Sequence, residues 1–169
     1  RTIDAIEQYN PFFIEAPLPA DNIEGYRKLV ESTHVRIAVG DWGFTTRHEF
    51  ADLLRRGRLY VVQPSAVRAG GMHEILNIAE DAYRFGALCV PHTWFHVIGV
   101  AAGIHLAAVT PNMPYFESPI AFPPTPLVDD LLLPHFEIAE DGTMEVPDRP
   151  GLGFELNEDV LSEFRVDPY

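Results

Sequence analysis

Five short apolar runs recur along this chain, and each runs directly into a polar residue. The runs are FFIEAP, RIAVGD, LYVVQPS, LCVPHTW and YFES; the polar residues are Glu15, Asp41, Ser65, His92 and Glu117, spaced 26, 24, 27 and 25 residues apart. A strand, a loop and a returning helix take about this many residues in a βαβ series. Recurrence at this length marks a repeated supersecondary unit. In a (β/α)8 barrel the C-terminal ends of the strands converge on one face, and that face carries the chemistry. Carboxylates far apart in sequence then meet in one site, with an imidazole across from them.

Composition narrows the partners. No apolar run approaches the ~20 residues of a membrane span. A formal net charge of -13 argues against nucleic acid, which calls for a basic patch. Nor does it indicate a cationic substrate, because many acids lie in stretches that read as solvated helix faces or tail, among them Glu137, Glu140, Asp141, Glu158 and Asp159. The single cysteine, Cys89, excludes an internal disulfide and suits a reducing compartment, so a cytoplasmic location is expected. Between Leu88 and Val90 it reads as a small buried hydrophobe rather than a nucleophile.

The units divide as follows. TIDAIEQYN reads as a helix end running into the strand FFIEAP. Asp21 or Asn22 caps a helix over IEGYRKLVES, and Thr45 or Thr46 caps RHEFADLLRRG, which stops at Gly57. Arg68-Ala69-Gly70-Gly71 precedes a helix with Ile75, Ile78, Ala79 and Ala82 at helical spacing. This is not a dinucleotide fingerprint; the glycines predict a tight turn with close backbone approach. VIGVAAGIHLAAVT has no polar face and is expected to be buried on most sides.

A complete barrel has eight strands and about 250 residues, and five strands alone leave two exposed parallel edges. The chain begins with Arg1 rather than Met and shows no signal-peptide pattern. The expectation is an α/β chain whose residues 1–118 form the C-terminal, five-strand portion of a (β/α)8-type barrel. Residues 119–169, rich in proline at their start, then form an irregular tail that returns over a separate N-terminal domain outside this chain.

IEAPL with Glu15, AVGD with Asp41, VVQP followed by Arg68 and Gly70-Gly71, VPHTW with His92, IGVAAGIHLAA, YFE with Glu117 and the PGLGFEL ending carry a family resemblance. In order and spacing they resemble the C-terminal part of enolase-superfamily enzymes of the mandelate racemase/muconate lactonizing enzyme family, in particular the mandelate racemase subgroup and its acid-sugar dehydratases. The resemblance implies a TIM-like barrel beneath an α+β capping domain, and a reaction that begins by removing the proton α to a substrate carboxylate. One Mg2+ then stabilises the enediolate. It implies Glu15 and Asp41 as metal ligands, a third carboxylate one strand before Arg1, a Lys-x-Lys pair on an earlier strand outside this chain, and a homo-oligomer. Asp41 stands where the subgroup usually has Glu. Glu117 corresponds to the acid that contacts a substrate carboxylate oxygen or assists as electrophile.

The residues support that chemistry on their own terms. A hard divalent cation held by carboxylates is one way to stabilise a dianion, and a His or Lys base beside it is a recorded pattern. Glu15 and Asp41 otherwise read as helix-capping or solvated loop residues. His92, after Val90-Pro91 at a strand end, is the base candidate; its alternative is a satisfied core histidine. His34, His48 and His73 read as surface, His105 as part of the buried helix and His135 as tail. His96, four residues after His92, does not make a zinc pair, since that pair needs a helix; His96 or Trp94 lines the pocket mouth instead. Glu117 needs burial to be held neutral as a donor.

Ser65 departs from the family. The subgroup has an Asp there, paired with the histidine, and the muconate-lactonizing subgroup a Lys. Ser65 supplies no charge, so His92 is expected to be a weaker base than in its relatives, or the base is a Lys outside this chain. The expected activity is a Mg2+-dependent lyase or isomerase on a hydroxylated carboxylic acid, foremost an acid-sugar dehydratase. The alternatives are a racemase or cycloisomerase of the same family, or a non-catalytic descendant with a decayed site. An Asp ligand and a Lys-x-Lys pair upstream would separate the enzyme from the descendant.

Overall fold

Strands and returning helices alternate through the first four strands, each paired with its neighbour in sequence. The computed structural model describes residues 2–40, 43–94, 97–118 and 125–166. A first helix, α1 (Thr2–Glu7), leads to β1 (Phe13–Glu15), α2 (Ile23–Ser32), β2 (Arg36–Val39) and α3 (Arg47–Asp52), which runs on into one wider π turn over Leu53–Gly57. There follow β3 (Val61–Val62), α4 (Met72–Arg84), β4 (Leu88–Cys89) and α5 (Val97–Val109). The four strands form one parallel sheet in the order β1-β2-β3-β4, with Glu15 level with Ala38, Ala38 with Val61 and Val61 with Leu88. That winding is the α/β pattern of a (β/α) barrel wall.

The local signals act as expected. Asn22 accepts from Gly25 N at 3.0 Å to start α2. Thr46 and Glu49 form a reciprocal capping box at α3. The π turn ends at Arg58, whose φ of 57° closes the helix. Gly70 and Gly71 take φ of 88° and 89°, which only glycine adopts cheaply. The expected close backbone approach is absent there, since a Cβ on Gly71 would meet nothing within 4 Å. These glycines serve the turn, not a contact.

Strand alternation sorts side chains to two faces. Ile14, Ile37, Val39, Val62 and Cys89 point outward into the main core beneath α2, α3 and α4, with Tyr26, Phe50, Leu53, Ile75 and Ile78 fully buried there. Ala38, Val61 and Val90 form a separate inner cluster with Phe13 and Leu88. Cys89 thus lies on the outer face, and burial pushes its thiol pKa well up, leaving an inert thiol.

Two expectations change. YFES is not a fifth strand among the described residues: the stretch from Asn112 to Glu117 meets β4 and the loop after it through isolated bonds, among them Cys89 N to Asn112 O (2.9 Å) and Glu117 N to Pro91 O (3.2 Å). Pro91 and Pro114 each lack the N–H a ladder would need. The tail, expected to be irregular, contains α6 (Pro126–Asp129), an antiparallel pair β5 (Leu132–Leu133) and β6 (Glu155–Leu156), and α7 (Glu158–Glu163). Leu131, Leu132 and Val160 bury with Val97 and Ala101, so the tail packs on α5. No helix among the described residues is long and apolar enough to cross a membrane.

Candidate active site

The inner face continues past the apolar layer into polar residues. Glu15 ends β1, and Gln63 follows β3 on the same parity as Val61. Gln63 is fully buried, and its backbone N donates to Val39 O at 3.0 Å. Its side-chain Nε2 donates to two carboxylates at once, Glu15 Oε2 at 2.9 Å and Glu117 Oε1 at 2.7 Å. The other oxygen of Glu117, Oε2, lies 3.7 Å from His92 Nε2, a charge-pair distance. Three of the five spaced residues therefore converge, joined by an amide that the spacing overlooked.

Backbone contacts hold these groups from both sides. His92 N donates to Pro64 O at 3.1 Å, and Glu117 N to Pro91 O at 3.2 Å, so the loops bearing base and acid are stitched to each other and to β3. The Thr93 hydroxyl also donates to the Glu117 carbonyl oxygen. Helix α5 sits close behind through Gly103, where a Cβ would fall 3.1 Å from Thr93 Cγ2 and 3.3 Å from Phe116. His92 is 6% exposed and the Glu117 side chain 14%, so both work in a largely desolvated setting.

Ser65 is buried on the same strand extension, and its hydroxyl makes no hydrogen bond among the described residues. Asp41 and His96 lie outside the described residues. Of the remaining histidines, His34, His48 and His73 are exposed, His105 bonds Leu152 O and His135 bonds Asp129 O in or against the tail.

Among the described residues no cluster of three or more His, Cys, Asp or Glu could hold a metal. The donor chemistry nevertheless suits a hard cation. Glu15 is exposed, and with Oε2 held by Gln63, its Oε1 makes no hydrogen bond among the described residues. Mg2+ is commonly bound through one or two carboxylates with the rest of its shell left to water or substrate.

A family model described as Enolase C-terminal domain-like matches residues 1–160. This chain belongs to that family. Within the enolase C-terminal domain-like family it is the C-terminal part of the (β/α) barrel. Among curated relatives, it is 34% identical over 162 residues to D-gluconate dehydratase of Thermoproteus tenax, covering 96% of this chain and 32% of that protein. It is 34% identical over 164 residues to D-galactonate dehydratase of Ralstonia nicotianae, covering 95% of this chain and 43% of that one. It thus spans less than half the length of these relatives. Among solved structures, a mandelate racemase/muconate lactonizing enzyme from Jannaschia sp. CCS1 superposes with a TM-score of 0.86 at 34% identity, covering 99% of this chain and 42% of that one. L-talarate dehydratase from Polaromonas sp. JS666, complexed with Mg and L-glucarate, gives 0.81 at 33% identity, covering 96% and 42%.

Proposed function

We propose that this chain carries part of the catalytic face of a Mg2+-dependent lyase that removes the proton α to a carboxylate and dehydrates an acid sugar. The observation that carries this is the convergence of Glu15, Glu117 and His92 on one face, the two carboxylates joined through Gln63 and the imidazole beside Glu117. The dehydratases among its relatives, acting on gluconate, galactonate and talarate, support the substrate class.

In this reading Glu15 and Asp41 hold the cation, completed by a carboxylate outside this chain. Bound there, Mg2+ would supply electrostatic stabilisation to the charge that grows on the substrate carboxylate as the proton leaves. His92 takes the α-proton, and its buried ring excludes competing water. The C–H electron pair becomes the new C=C bond, the β C–O bond breaks, and the hydroxyl departs as water with a proton supplied by a general acid. Glu117 meets the substrate carboxylate with Oε2, since Oε1 is occupied by Gln63. The intact protein is further read as a cytoplasmic homo-oligomer.

The test is mass spectrometry in D2O, offering mono- and diacid sugars to the intact protein with Mg2+. Loss of a water mass or gain of a deuteron, each abolished by EDTA, is the expected result. Silence across the library with no Mg2+ binding would replace this reading with a non-catalytic descendant.

Ser65 bears on the rate. An Asp partner orients an imidazole and favours its protonated form, and Ser65 supplies no such charge. Ser65→Asp is expected to raise the rate of α-proton exchange by about tenfold, the size of one pKa unit of added proton affinity. Unchanged exchange kinetics would show that the missing carboxylate does not limit the reaction.

A further inference from the structure

We propose that Gln63 is a positioning residue whose side-chain amide holds Glu15 and Glu117 at a fixed separation, leaving one oxygen of each carboxylate for its own task. This rests on the functional reading above, in which Glu15 binds the cation and Glu117 meets the substrate.

The chemistry of the position is selective. One nitrogen with two N–H groups serves two acceptors, and the amide adds no charge between them. A Lys there would place a cation beside the metal site, and a Glu would place a third carboxylate against two others. Bonds from an N–H to a carboxylate are about twice as strong as neutral ones, and Gln63 makes two, at 2.9 and 2.7 Å.

The orientation of the amide is fixed by the same contacts. Turned over, its oxygen would face both carboxylates. As it stands, Oε1 is buried and has no hydrogen-bond partner among the described residues. A buried orphan acceptor is costly and calls for an explanation. Here the explanation is the opposite end of the same amide. The backbone cannot relax to rescue Oε1, because Gln63 N is tied to Val39 O and Pro64 follows immediately.

The consequence is a division of oxygens. Glu15 Oε2 and Glu117 Oε1 are spent on the amide. Glu15 Oε1 is left for the cation, and Glu117 Oε2 is left on the side of His92, 3.7 Å from its Nε2. Without the amide, the two carboxylates would lose the shared donor that sets their separation.

The experiment is Mn2+ binding to the intact protein, followed by electron paramagnetic resonance, in wild type and Gln63→Met. Methionine keeps the length of the side chain and removes both N–H groups. Outer-shell partners of metal ligands are worth about 10–100-fold in metal affinity, and a loss of that size, with a broadened Mn2+ spectrum, is expected. Circular dichroism reports whether the variant folds. Equal affinity and an unchanged spectrum in a folded variant would overturn the positioning role while leaving the functional reading in place. A wild type that binds no Mn2+ would overturn both. Should Gln63→Met fail to fold, a crystal structure of wild type with Mn2+ decides instead: Gln63 Nε2 within about 3.2 Å of both carboxylates upholds the role, and release of either one overturns it.

Discussion

Replacing His92 by asparagine is expected to abolish exchange of the substrate's α-proton, lowering its rate by about 10²–10⁴-fold, the usual contribution of a positioned general base. The fold should survive, because the contacts that place this residue are made by the backbone. His92 N donates to Pro64 O and Glu117 N to Pro91 O, and neither bond involves the ring. Mn2+ affinity should also survive, because His92 lies beside Glu117 and is not one of the carboxylates read as ligands. The measurement is the rate of deuterium uptake in D2O, with Mn2+ binding and thermal melting alongside. A variant that melts and binds metal normally but exchanges at the wild-type rate would move the base out of this chain, to a residue on another strand of the barrel.

Much of this was legible because strand-end chemistry leaves regular marks. The helix over Ile23–Ser32, the cap at Thr46, the stop at Gly57 and the buried face of α4 all follow from local signals that tertiary packing did not override. The regular spacing singles out Glu15, His92 and Glu117, which the structure brings together beside Gln63. Gln63 is hard to read from sequence because an uncharged amide carries no acid–base signal, and because the run LYVVQPS carries the pattern on to Ser65. The alternation alone could have found it: Val61, Gln63 and Ser65 share one parity, and Val61 already faces inward. YFES has strand-forming side chains, but the missing N–H groups of Pro91 and Pro114 keep it out of the ladder among the described residues. The order in the tail was illegible for a different reason. Leu131, Leu132 and Val160 have no period among the prolines, and they find their order only against Val97 and Ala101 of α5.

The largest loss of stability is expected at Gly40, one residue beyond β2 and packed against Phe50 and the backbone of Gln63. Its φ of 140° is a conformation L side chains rarely adopt. A Cβ there would fall 2.5 Å from Phe50 Cε1 and 3.0 Å from Gln63 N. Neither neighbour has room to yield. Phe50 is fully buried and stacked at a tilt on Phe44, with ring centroids 5.7 Å apart, and Gln63 N is held by Val39 O. Backbone strain of about 1–3 kcal/mol and overpacking of about 1–3 kcal/mol act together, so Gly40→Ala should destabilise by about 2–6 kcal/mol. Gly86 separates the two causes. Its φ is 71°, but a Cβ there meets nothing within 4 Å, so Gly86→Ala carries the backbone cost alone. Urea unfolding of the two variants against wild type reads the difference directly. Because the clash falls on the backbone of Gln63, a milder Gly40 variant that still folds should also loosen the amide from Glu15 and Glu117 and weaken Mn2+ binding. Equal destabilisation by Gly40→Ala and Gly86→Ala would mean that Phe50 gives way after all, and that the close approach of β2 to Gln63 is not what sets the height of the amide in the site.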